Sequence, residues 1–405
     1  MAATREDNVR IDIESLACSI EEEMSSHKYM SRKCCIFKTP AILSRCNEKA
    51  YIPNAFSIGP LHHGQPNLKA TEKIKANYLR SLVDRLRFRE MTLVDIIDSI
   101  EKIEGDVRQY YAEPISCSTE EFVKILVIDG CFIIELFRKF SYKELREKDD
   151  SIFSMSCMFE FLYHDLVLLE NQVPWIVLDR LFTMTWDSTH EKSLIQLAEE
   201  FFENIFSFLP PMLHPIKEIK HIVDLLRKWL VSPTAEEEGT YSWELMPSAA
   251  SLVEAGIQFR RGTSKSILDI TFNDGVLEIP PLLIQETTET VIRNLISFEQ
   301  CYPNCKPRLT SYAILLDNLI NNAKDMEILC KNQIFDKWLN PEDAVSLFNK
   351  LYHNTGIKEY YYESLCKQVN GYCQRRWPRW RAVLMQKYFN TPWSVLSTLA
   401  VIILL

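Results

Sequence analysis

Residues 118–136 read STEEFVKILVIDGCFIIEL, and this stretch decides the fold class. Ser118 and Glu121 have the spacing of a capping box, in which a hydroxyl and a carboxylate accept from orphan backbone N–H groups at a helix start. Behind them Phe122, Ile125, Leu126, Phe132, Ile133 and Leu136 recur mostly three or four positions apart, so they share one side of a 3.6-residue helix. Asp129 sits in the middle of that apolar run.

The same periodicity recurs outward from it, over about 68–86, 216–230, 290–298 and 312–329. Asn340, Pro341 and Glu342 supply an N-cap, a first-turn proline and a first-turn acid in order. Glycine is scarce, at 10 of 405 residues, which disfavours the glycine-consuming turns of doubly wound sheets. One region breaks the pattern. Leu268, Ile270 and Phe272 alternate with polar residues, Asn273, Asp274 and Gly275 turn the chain, and Leu277 and Ile279 follow before Pro280 and Pro281. The expectation is a mainly α, multi-helix body over 1–387 with a small antiparallel β-hairpin at about 266–280 and surface loops at about 141–151 and 232–246.

A net charge of −9 argues against a nucleic-acid binder, because neutralising phosphates needs a basic surface and no domain-sized stretch supplies one. The twelve cysteines show no CxxC spacing, no Asn-x-Ser/Thr sequon occurs, and the first thirty residues do not form a signal peptide. Reduced thiols in a cytosolic body are expected. No P-loop, GxGxxG, GxSxG, HExxH or kinase catalytic loop is present.

Two constellations remain. Residues 51–64 contain Tyr51, Pro53, Ser57, Gly59, Pro60, His62, His63 and Gly64. Prolines that fix φ and glycines that free it predict an ordered, bent loop that acts as a structural clamp. Adjacent imidazoles point to opposite sides, so His62 and His63 make a poor metal pair. No metal or cofactor is expected. The second constellation is polar groups in apolar company: Asp129, Asp165, Glu170 and Asn171. Burial would raise such carboxyls toward acid–base chemistry. Yet Pro174 disfavours helix at the residue before it, so Glu170, Asn171 and Gln172 are better read as satisfying backbone groups at a broken helix junction.

From Ser364 onward there is no acidic residue, and Lys367, Arg375, Arg376, Arg379, Arg381 and Lys387 contribute +6. Trp377, Trp380, Tyr388, Phe389 and Trp393 are interleaved with or follow these cations, and the chain then runs apolar to Leu405. That order predicts a membrane-anchor segment over 388–405, with Arg375, Arg376, Arg379 and Arg381 as its cytosolic basic flank. Eighteen helical residues rise about 27 Å against a hydrocarbon core of about 30 Å. A shallow or truncated anchor is therefore expected.

With these residues quoted, the chain resembles the plant domain of unknown function 247 family, also called UPF0481-like. The resemblance rests on the 51–64 loop, on Leu68, Glu72 and Lys75, on Asp129 with Phe132, and on Asp165, Leu168, Leu169, Glu170, Asn171, Gln172 and Pro174. It continues through Ala255, Gly256, Leu268, Asp269 and Ile270, then Arg293, Asn294, Phe298, Glu299 and Gln300, then Pro392 and Trp393. It implies a mostly helical plant protein with a small β element and commonly one C-terminal membrane-spanning helix. It implies no established catalysis, and links some members to pollen–stigma self-recognition in grasses. The function expected is that of a non-enzymatic, membrane-associated interaction protein facing the cytosol, with a protein partner and no identifiable small-molecule substrate. The alternatives are an enzyme using the His62/His63 loop with the buried carboxylates, and a soluble scaffold with the C-terminal helix docked on the body.

Overall fold

The computed structural model describes residues 12–26, 31–87, 91–186, 192–203, 218–231, 239–240, 242–264, 266–303, 305–336, 340–357 and 359–374. The basic flank at Arg375, Arg376, Arg379 and Arg381 and the 388–405 tail lie outside them, as do residues 232–238 and 241 of the second expected loop. Sixteen α-helices and one three-stranded sheet are formed among the described residues.

The helix read from residues 118–136 extends over Thr119–Ser141, with the Ser118 side chain accepting from Glu121 N–H at 3.2 Å. It is apolar on most of its circumference, as a central helix must be, and it packs against helices Lys69–Leu86, Leu93–Glu101, Trp175–Met184 and Leu194–Phe202. Gly130 lets the Trp175–Met184 helix approach closely, because a Cβ there would overlap the Leu181 side chain. On its far end Phe137 meets Phe201 and Phe202, with ring centroids 5.0 and 5.8 Å apart. One contiguous cluster of buried apolar side chains runs from Cys34 to Val369.

The expected hairpin is there, but it belongs to a larger sheet and begins later. Strand β2 is Thr271–Asn273 and pairs antiparallel with β3, Val276–Ile279, while Leu268 precedes the strand in a turn. Asp274 and Gly275 have φ of 46° and 83°, the left-handed pair that a two-residue turn of matching twist requires. The third strand, β1 at Gln258–Arg261, pairs parallel with β3, giving the order β1-β3-β2.

Two further expectations are corrected. The run at 312–329 is two helices, Arg308–Leu319 and Ala323–Lys331. Asn322 breaks it by accepting from Lys324 and Asp325 N–H, while the buried Asp325 carboxylate takes Ala250, Asn321 and Asn322 N–H. The 141–151 segment is also not simply a surface loop. Its Asp150 is buried, accepting from Lys139 Nζ at 2.9 Å and Tyr78 Oη at 2.7 Å, which ties the segment to two helices.

Candidate functional site

The 51–64 loop crosses the face formed by the central helix and the turn at 165–174, and its backbone is held there by side chains. Asp165 ends helix Ser156–Leu166 fully buried, and its carboxylate accepts from Asn54, Ala55 and Phe56 N–H at 2.7, 2.8 and 2.7 Å. Asn171 Oδ1 accepts from Ile58 N–H at 2.8 Å, and its Nδ2 donates to Phe56 and Asp165 carbonyls, both at 2.9 Å. Asp129 Oδ2 takes Gly59 N–H at 2.8 Å. Five consecutive or near-consecutive N–H groups of one loop are thus satisfied by three buried side chains, in the way a neighbouring strand would satisfy them.

Lys75 completes the arrangement. It lies in the buried stripe of its helix with Thr71, Tyr78, Leu82 and Leu86, and its ammonium donates to Asp129 Oδ1 at 2.5 Å and to Ser57 O at 2.7 Å. Burial pulls its pKa down, but Asp129 and Glu72 outweigh this and raise it, so the buried ammonium stays charged. The sequence feature that marks this role is a lysine sharing one helical stripe with Tyr78, Leu82 and Leu86.

Gln172 Nε2 donates to the carbonyls of Leu166, the last helical residue, and of Leu168 and Asn171 in the turn beyond it, and its Oε1 accepts from Ile222 N–H at 3.1 Å. Glu170 instead reaches the N-terminal segment, accepting from Thr39 N–H at 2.8 Å. His221 is a structural residue that carries no motif signal. It is fully buried before helix Ile222–Val231, with Nε2 on Cys35 O at 3.0 Å and Nδ1 accepting from Asp224 N–H at 3.3 Å. Burial pulls its pKa down to about 4.

The two loop histidines part, as their adjacency predicts. His63 is exposed, whereas His62 is buried with Nδ1 bonded to Gln65 Nε2 at 2.9 Å and Nε2 3.6 Å from Glu170 Oε2. Burial lowers the His62 pKa, partly offset by Asp165, and burial raises that of Glu170 against its bonds to Thr39. Tyr51, Ser57, Ile58 and Phe56 are buried, while Ile52, Asn54 and His63 face solvent. Pro53 and Pro60 fix the bends of the loop. Gly59 and Gly64 have φ of 72° and 80°. A Cβ on Gly59 would overlap the Gln172 carbonyl and lie 3.3 Å from Tyr111 Oη, whereas one on Gly64 would meet nothing within 4 Å. Among the described residues no group of three or more His, Cys, Asp or Glu is placed to hold a metal ion.

The family described as "Plant protein of unknown function", the domain of unknown function 247, matches residues 36–405. The chain belongs to it. A UPF0481 protein of Arabidopsis thaliana is 28 % identical over 401 residues, covering 91 % of this chain and 83 % of that protein. A putative UPF0481 protein of the same plant is 20 % identical over 96 % of this chain and 91 % of its own length. A shorter likeness, 26 % over 147 residues, is to chorismate mutase 2 of Petunia hybrida, and it takes in 33 % of this chain and 54 % of that protein. No solved structure matches the chain. No helix among the described residues is long and apolar enough to cross a membrane.

Proposed function

We propose that this member of the domain of unknown function 247 family is a non-enzymatic interaction protein. In this reading the 388–405 segment tethers it to a membrane, its body faces the cytosol, and it presents a clamped loop to a protein partner. The observation that carries the reading is the use of Asp129, Asp165 and Asn171: each accepts backbone N–H groups of the loop, which leaves Ile52, Asn54 and His63 outward on a fixed frame. Buried carboxylates engaged in this way are held as acceptors and are poorly placed to exchange protons with a substrate. The tether draws on the basic, aromatic and apolar order of residues 375–405.

Fractionation tests the tether. The full chain is expected to resist carbonate and high-salt extraction from membranes, and a chain ending at Lys387 to become soluble. If the full chain is monodisperse in buffer without detergent, the tether is lost and the soluble scaffold replaces it. Proximity labelling in plant cells tests the loop: Asn54→Ala with His63→Ala should remove a defined set of labelled neighbours without altering the fold. An unchanged set places recognition elsewhere.

The second reading, an enzyme, draws on the His62–Glu170 pair, two partly desolvated groups with pKa values displaced toward each other, and on the partial likeness to a protein named a chorismate mutase. A turnover lost in both His62→Gln and Glu170→Gln, with the fold kept, would establish it.

A further inference from the structure

Helix Trp175–Met184 carries Trp175, Asp179 and Phe182 at helical spacing, and Trp186 continues the stripe in the closing turn, where its N–H donates to Thr183 O at 3.3 Å. The stripe does not pack flush against the start of helix Leu194–Phe202. A cavity of about 390 Å³ remains, lined by these four side chains and by Leu194, and its size is that of a small-molecule site. Its walls are aromatic. Trp175 and Phe182 are each 7 % exposed and Trp186 is 39 % exposed, and the Phe182 and Trp186 rings stand at 76° with centroids 5.4 Å apart, an angle that offers π surface on two sides.

Charge selects the ligand. Asp179 is the one ionisable group of the lining, and among the described residues it forms no ion pair: Arg180 Nε donates to Ser99 Oγ at 2.7 Å, and Lys192 pairs with Glu200 at 2.7 Å. A carboxylate and aromatic faces both attract positive charge. Phe182 already receives one cation, the buried Arg138 guanidinium 5.0 Å from its centroid, which donates to Thr185 O at 2.8 Å. A second cation would therefore draw mainly on Trp175, Trp186 and Asp179. The lining also selects its kind. An ammonium or guanidinium takes N–H groups out of water that then need acceptors, and besides Asp179 the side chains of the wall offer only the Thr183 and Ser193 hydroxyls, which are engaged with Asp179 O and Gln196 N–H. A quaternary ammonium makes no such demand. We propose that this cavity binds a small quaternary ammonium compound, its methyl groups against Trp175 and Trp186 and its charge compensated by Asp179. The site lies outside the 51–64 loop and goes beyond the interaction reading, which needs no ligand.

The test is calorimetric titration of the full chain, held in a maltoside detergent, with choline, with tetramethylammonium, and with dimethylbutanol, the neutral alcohol in which carbon replaces the nitrogen of choline. Choline should bind about tenfold tighter than the alcohol, because only the cation gains from the rings and the carboxylate. Asp179→Asn and Trp186→Ala alter exposed positions, and urea midpoints verify that the fold is kept. Each should weaken choline several-fold, Trp186→Phe should restore part of the loss, and Asp179→Asn should leave the alcohol unaffected, a split that a merely structural aspartate would not produce. No measurable binding of either cation, equal binding of choline and the alcohol, ethanolamine binding as tightly as choline, or choline affinity unchanged in both variants would each overturn the proposal.

Discussion

Gly59 and Gly64 occupy the same loop with almost the same φ, yet the structure separates their substitutions. Alanine at either position must adopt the left-handed region, at about 1 to 2 kcal/mol. For Gly64 that is the whole effect, because a Cβ there meets nothing within 4 Å. At Gly59 the Cβ overlaps the Gln172 carbonyl, and neither side can give way freely. Gly59 N–H is fixed to Asp129 at 2.8 Å, and the carbonyl is held by Tyr111 Oη at 3.1 Å. Overlap in so constrained a place adds about 1 to 3 kcal/mol, and the loss of the Asp129 bond adds more. Gly59→Ala is therefore expected to cost about 3 to 5 kcal/mol and Gly64→Ala about 1 to 2 kcal/mol. Urea unfolding followed by far-ultraviolet circular dichroism gives both values from the shift in midpoint. The reasoning fails if the two substitutions agree within about 0.5 kcal/mol, or if His63→Ala, at an exposed site, costs as much as Gly59→Ala.

Lys75→Met should destabilise by about 3 to 5 kcal/mol by leaving the Asp129 carboxylate buried and uncompensated. The double variant with Asp129→Leu should lose clearly less than the sum of the singles, and additive losses would deny the coupling. His221, with its pKa pulled to about 4, stays neutral in the fold while the unfolded chain takes a proton below its ordinary 6.5. Its contribution is thus complete above pH 6.5 and falls as pH drops toward 4, by about 2 kcal/mol at pH 5. Urea midpoints at pH 7 and 5 should converge in part in His221→Gln, and an unaltered pH slope would refute it. In alkylation time courses under native conditions, Cys18 and Cys157 should react first. Cys131, buried with its thiol pushed up to about 12, should react only on unfolding, and mass mapping of the labelled peptides decides.

What the sequence discloses here is local. The Thr119–Ser141 helix, the N-cap at Asn340 and the Asp274-Gly275 turn each follow from residues within a few positions of one another. β1 escapes because Gln258–Arg261 buries only Phe259 and gains its identity from a parallel partner. The break at Asn322 escapes because the apolar spacing continues through it, while the decisive acceptor, Asp325, is recruited by Ala250 in another helix. At the candidate site, the sequence reads Glu170, Asn171 and Gln172 as satisfying the helix junction, whereas Asp165 and Asn171 mostly serve the backbone of the 51–64 loop. Nothing in either segment alone encodes that pairing. His62 and His63 part as adjacency requires, and only the fold shows which one turns inward.

Most of the side chains that secure the loop are far from it along the chain: 109 to 113 residues separate its N–H groups from Asp165 and Asn171, and just before it Asn294 Nδ2 holds Ala50 O from 244 residues away. During synthesis at about 5 to 20 residues per second, the loop leaves the ribosome roughly 5 to 20 seconds before Asp165 and Asn171 exist, and about 12 to 50 seconds before Asn294. Closing such long intervals is entropically slow relative to helix formation. The loop is therefore set late, after helix Lys69–Leu86 and the central helix have been made. A nascent chain halted before residue 165 would expose Phe56 and Ile58, which the finished protein buries completely. Those two side chains are where a holding chaperone would find this protein during its manufacture.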